Sequence, residues 1–191
     1  LGDSPDTARV LGYRARAHES NPANEAARER LVEAYRRQGR HLDAAEVFEA
    51  FADREIDAAA RCDLFFQAID CAAQAEVGGQ AVVDRLLGRV LEVDPAHRRA
   101  LEMLESSARD SKDGAALARL LARRLELADS VEERRDRVSE LAEVQERQCN
   151  DRNAAVATLE RWLEQDPLFD PGWRRLESLL LRTRRYADLA A

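Results

Sequence analysis

Residues 21–54 read NPANEAARERLVEAYRRQGRHLDAAEVFEAFADR, and two apolar stripes flank a break near the middle of this stretch. Leu31, Val32 and Tyr35 form the first stripe, and Ala44, Ala45, Phe48 and Phe51 form the second. Steps of three, four and seven residues keep each set on one side of a 3.6-residue helix. Between them, Gln38-Gly39 interrupts the pattern, and glycine supplies the left-handed backbone with which a helix ends and the chain reverses. The expected product is a helix–turn–helix hairpin. Two short helices cannot cover such a side by themselves, so further hairpins are expected alongside.

Three prolines set the period of that repetition. Pro22, Pro95 and Pro167 each follow Asn or Asp and precede a new helical pattern, at intervals of 73 and 72 residues. Each interval holds two units of about 36 residues. Superposing the intervals brings Leu31 onto Leu104 and Leu176, and Phe48 onto Leu121. The chain thus divides into a helix at 5–19, the remnant of an earlier unit, and hairpins at about 23–55, 56–94, 95–129, 130–166 and 167–191.

In the second hairpin, Cys62, Phe65, Phe66, Ile69 and Ala73 form the first stripe, Gly78-Gly79 the turn, and Val83, Leu86, Leu87 and Val90 the return. The third has Ala100, Leu101, Leu104 and Ala108, a breaker run from Asp110 to Gly114, then Leu117, Leu121 and Leu125. Ser130-Val131-Glu132-Glu133 has the form of a capping box and opens the fourth, where Val138, Leu141, Val156 and Leu159 face inward. In the fifth, Asp170-Pro171 caps a helix expected to bury Trp173, Leu176, Leu180 and Leu181.

The run LVEAYRRQGRHLDAAEVFEAF (31–51) resembles the tetratricopeptide repeat in its order of large residue, Tyr, Gly, small residue and aromatic. The Trp173 to Leu176 spacing is similar to that family's Trp and Leu, while Arg184 stands where the family usually has its turn glycine. The resemblance implies an all-α fold, a right-handed α-solenoid of about five stacked antiparallel hairpins. It also implies binding of a protein or peptide segment along a concave groove lined by the first helix of each hairpin.

Composition agrees with helix throughout. The chain is 45% apolar and 35% charged, rich in Ala, Leu, Glu and Arg and poor in aromatic residues. Lys112 is the only lysine among 30 basic residues, a bias that a GC-rich bacterial genome explains. A formal charge of −7 gives no nucleic-acid footprint, and no apolar run is long enough to insert into a membrane. Cys62, Cys71 and Cys149 are odd in number and form no C-x-x-C pair, which fits a reducing, cytoplasmic compartment. The first residue is Leu1, not Met, and no signal segment follows it, so a processed protein or a piece of a larger one is expected.

No nucleophile elbow, phosphate loop, dinucleotide fingerprint or H-E-x-x-H pair is present, so no enzyme, cofactor or metal is expected. His18, His41 and His97 lie far apart and read as surface or helix-end residues. Under the resemblance, the groove positions are Glu29, Glu33 and Arg36 on the first hairpin and Glu102, Ser106 and Arg109 on the third. Arg174, Arg175 and Arg182 on the fifth, with Arg184 and Arg185, form a basic cluster suited to carboxylate or phosphate, or else a solvated polar face. One branch of the family clamps a terminal carboxylate with Lys and Asn, and Glu and Ser stand at those places here. Cys71 shares a face with Leu64 and Ala68 and is expected to pack on the neighbouring hairpin or to line the groove.

The expected function is a non-enzymatic scaffold that recognises a protein or peptide. A regulatory sensor segment and an RNA-reading helical array are the alternatives, and the glutamates at the groove positions oppose the second. Uncapped apolar residues near both ends (Val10, Leu11, Tyr186 and Leu189) are expected to give weak self-association.

Overall fold

A computed structural model describes residues 25–183 of the chain. Among these residues there are nine α-helices and no strand: α1 (Glu25–Arg37), α2 (His41–Ala52), α3 (Ala58–Ala72), α4 (Gly79–Val93), α5 (Arg98–Asp110), α6 (Gly114–Leu127), α7 (Val131–Arg147), α8 (Arg152–Leu163) and α9 (Asp170–Thr183). The all-α reading therefore holds. The expected helix at 5–19, the apolar residues near both ends, and Arg184 and Arg185 lie outside the described residues.

Local chemistry sets the helix boundaries. Asp57, Asp113, Ser130 and Asp151 each accept a hydrogen bond from the backbone N–H three residues on, at 2.8–3.0 Å. Each thereby satisfies one of the donors that a helix leaves open at its start. His97 does the same for α5 through Nδ1, which accepts from the Ala100 N–H at 3.4 Å. The reversals use left-handed backbone: Gly39 has φ 70° between α1 and α2, and Gly78 has φ 76° before α4. Lys112 and Asn150 adopt the same region at φ 57° and 53°, so the turns before α6 and α8 form without glycine at that position.

The chain divides into two compact units, Leu1–Ala100 and Leu101–Ala191. In the first, α1 packs on α2, α2 on α3 and α3 on α4. Its core holds Leu31, Phe65, Ile69, Leu86, Leu87 and Val90, all nearly inaccessible. The fourth helix also reaches the second. Arg85 and Arg89 on α4 bond Glu49 and Asp53 on α2, with Arg85 Nη2 donating to Glu49 Oε2 at 2.8 Å and Arg89 Nη2 to Asp53 Oδ1 at 2.6 Å. Both pairs are separated by 36 residues, the length expected from the sequence for one unit.

In the second unit α6 packs on α7, α7 on α8 and α8 on α9. Leu117, Leu121, Leu141 and Val144 form one apolar cluster. Val138, Val156, Leu159, Trp162, Leu163 and Phe169 are among the members of another. The spacing of 36 recurs here, where Arg182 Nη1 donates to Glu146 Oε1 at 2.9 Å.

Several residues expected inside are not fully buried. Leu104 is half-buried, because Leu101, Glu105 and Ala108 occupy the centre of the inward face of α5. Trp173 is 48% exposed and donates its indole N–H to the Pro167 carbonyl at 2.9 Å. Phe169 takes the inner place under the first turn of α9, where Gly172 lies so close to its ring that a Cβ would meet Phe169 Cδ1 at 2.5 Å. Leu181 is also 48% exposed, since it falls about 100° beyond Leu180 and off the stripe of Leu176, Leu179 and Leu180. Ala73, at the end of the first stripe of the second hairpin, is exposed as well.

Two glutamates lie inside the second unit instead. Glu105 is 2% exposed and is held by Arg124, whose Nη1 donates to both carboxylate oxygens at 3.2 Å, and by Arg109 at 3.3 Å. Arg109 also donates to Glu140 on α7 at 2.6 Å, so the buried charge is tied to three helices. Glu146 is 8% exposed and receives Arg182 on one oxygen and Arg175 on the other. A charge this deep persists only with partners of opposite sign.

The cysteines follow burial more than stripe position. Cys62 and Cys71 are both buried, Cys71 completely, and Cys149 is partly exposed. Burial, then the nearby Asp94 and Asp63, pushes the Cys62 thiol above its ordinary pKa and keeps it protonated. Cys149 is therefore expected to react first with a thiol reagent in the native protein, with Cys62 and Cys71 reacting only on unfolding. Mass-spectrometric mapping of early labelling checks this, and native-state labelling at Cys71 ahead of Cys149 would contradict the packing of α3.

Asp166 gives a pH prediction. Arg135 donates to both its oxygens, at 2.6 and 3.0 Å, and this hydrogen bonding holds the Asp166 carboxyl below its ordinary pKa. Its folded-state pKa thus lies below the unfolded one. The stabilisation is complete above the unfolded value and is lost as pH falls through the depressed folded value. The melting-temperature gap between the natural protein and Asp166→Asn should shrink on acidification through that range. A gap that stays constant would show that this pair does not titrate with folding.

Candidate binding groove

Glu29, Glu33 and Arg36 recur along α1 at steps of four and three, so they share one side of the helix. Leu31 and Ala34 turn inward, which leaves the charged side facing out. The structure brings all three residues to a single cleft of about 420 Å³, closed on its other sides by Phe48 of α2 and by Gln67 and Asp70 of α3. Its walls come from two first helices, α1 and α3, over a floor that includes Val32 and Phe48.

The charges in this cleft differ in how far they are engaged. Arg28 donates to Glu25 at 2.8 Å and lies over the Phe51 ring at 4.8 Å and the Phe48 ring at 5.6 Å. Glu33 accepts from Arg37 at 2.8 Å. Arg36 donates to Cys71 Sγ at 3.2 Å and meets no carboxylate among the described residues. The carboxylates of Glu29 and Asp70 have no ion-pair or hydrogen-bond partner among the described residues. The cleft therefore offers two open carboxylates with one guanidinium beside them, above aromatic and aliphatic surface.

The remaining groove positions sit in the second unit and differ from these. Glu102 and Ser106 are exposed on α5, with Glu102 3.7 Å from Arg124. Arg109 is committed to Glu105 and Glu140. In the basic cluster, Arg175 and Arg182 converge on the buried Glu146, while Arg174 is exposed and meets no carboxylate among the described residues. Two of the three described members thus have a structural task, and Arg174 alone of these three is open to a ligand. Cys71 faces α1 through Arg36, which is the packing role expected for it, and it does not line the cleft.

Sequence reasoning missed Gln67 and Asp70. Both are polar residues on the outward side of the α3 stripe, and the placement of α3 beside α1 is what gives them a role. His41 and His97 stand at helix starts, and the described residues contain no group of three or more His, Cys, Asp or Glu placed to hold a metal. No helix among the described residues is long and apolar enough to cross a membrane. No protein-family model matches the chain, and no curated protein does.

Proposed function

We propose that this chain is a tetratricopeptide-like array, a right-handed α-solenoid, and that it works as a non-enzymatic module recognising an extended peptide or protein segment. The reading rests on the cleft between α1 and α3, where Glu29 and Asp70 stand unpaired beside an aromatic floor. Ion pairs that recur at a spacing of 36 residues between alternate helices support the repeat part of the reading. Two carboxylates over Phe48 suit a segment that carries Lys or Arg next to an apolar residue. A groove that holds open carboxylates opposes the phosphate backbone of RNA.

A positional-scanning library of extended peptides tests the reading. Peptides rich in Lys and Arg should bind best, and their affinity should fall as salt rises, because the contacts are screened within a Debye length of about 10 Å at 0.1 M salt. Glu29→Lys combined with Asp70→Lys should abolish that binding while the helical circular dichroism stays unchanged. Preference for neutral or acidic peptides, or equal binding by the double variant, would refute the groove. Sub-micromolar binding of single-stranded RNA at physiological salt would favour the RNA-reading alternative.

A further inference from the structure

A second concavity lies in the second unit between the second helices of two consecutive hairpins, α6 and α8, with α7 behind them. It has a volume of about 510 Å³, within the range of small-molecule sites. Ala122 and Leu125 of α6, Leu141 of α7 and the Trp162 ring of α8 give it apolar walls. Nothing in the α1–α3 reading uses this place.

Its polar groups are mostly donors. Trp162 is 7% exposed, and its indole N–H is buried with no acceptor, a group that normally finds a partner when enclosed. Arg134 spends its Nε on the Ala128 carbonyl at 2.9 Å, and its guanidinium meets no carboxylate among the described residues. Arg161, exposed at the rim, meets none either. Gln145 accepts from Thr158 Oγ1 at 2.8 Å, so its carbonyl is engaged while its amide N–H groups are donors. Against two guanidiniums, an indole N–H and the amides of Gln145 and Gln165, the one charged acceptor in the lining is Glu126.

We infer that this cleft binds an organic carboxylate on an apolar body, with the carboxylate toward Arg161 and Arg134 and the body against Leu125, Leu141 and the Trp162 ring. A neutral apolar ligand would leave the donors unused, and a small hydrophilic anion would leave the walls uncovered. The carboxylate has two sources: a free organic acid, or the terminal residue of a peptide.

The probe is octanoate, titrated into the full ¹⁵N-labelled chain while the two tryptophan indole N–H resonances are followed. Trp173→Phe assigns them, because the Trp173 N–H is already bonded to Pro167. Octanoate should shift the Trp162 resonance saturably and leave that of Trp173 in place. Octanol and acetate should each bind at least about tenfold more weakly, a difference of about 1.4 kcal/mol. Arg161→Gln, an exposed substitution that does not threaten folding, should weaken octanoate by a similar factor. A peptide ending in leucine, with a free or an amidated terminus, separates the two sources: tighter binding of the free-acid peptide than of octanoate assigns the site to chain ends, and the reverse to free acids. Equal binding of octanol, an unchanged affinity in Arg161→Gln, or no saturable shift at Trp162 would overturn the inference.

Discussion

Replacing Arg175 with Glu should destabilise the protein by about 3 kcal/mol, whereas the same change at the adjacent Arg174 should stay within about 0.5 kcal/mol of the natural chain. In sequence the two arginines are neighbours in one basic cluster. In the structure Arg175 bonds Glu146, which is 8% exposed, and Arg174 meets no carboxylate among the described residues. Arg175→Glu removes that partner and sets a second carboxylate beside a buried one. The value lies at the low end of the range for breaking a buried pair, since Arg182 still reaches the other oxygen and Arg175 keeps 30% of its side chain in water. Denaturant unfolding of both variants measures the contrast. Equal, small losses would show that Glu146 does not depend on Arg175.

Truncation of the central leucines should cost more than truncation at their flanks. Leu87→Ala, Leu121→Ala and Leu159→Ala should each lose about 2–5 kcal/mol, because each side chain is at most 1% exposed and surrounded by other helices. Leu104→Ala should lose less than about 2 kcal/mol, since part of that side chain already meets water. Urea midpoints across the series report the order. A Leu104 loss as large as that of Leu121 would place Leu104 in the core and displace Glu105 from it.

Periodicity made most of the fold legible. Leu31, Phe48, Leu87, Leu121 and Leu159 are buried where three- and four-residue steps put them, and Gly39 adopts the left-handed turn. The buried glutamates were not legible, because a stripe is recognised by its apolar members. Glu105 sits one turn beyond Leu101 and three residues before Ala108, in line with both, yet its charge breaks the pattern. Its partners Arg124 and Arg137 come from other helices, and no local rule links them to it. Trp173 fails for a related reason. A residue in the preceding loop, Phe169, fills its place, and loops carry no period. The candidate groove was legible on α1, where spacing decides the face, and illegible on α3, where Gln67 and Asp70 matter only through tertiary placement.

Amide chemical-shift mapping tests the groove most directly. The ¹⁵N-labelled chain is titrated with the tightest-binding basic peptide from the library, and the shifted amides are placed on the helices. A peptide seated in the groove gives shifts concentrated on the outward sides of α1 and α3, at Glu29, Glu33, Arg36, Gln67 and Asp70, with the α4 amides from Arg85 to Leu91 unmoved. Shifts centred on α4, or scattered without saturation, would contradict that seating.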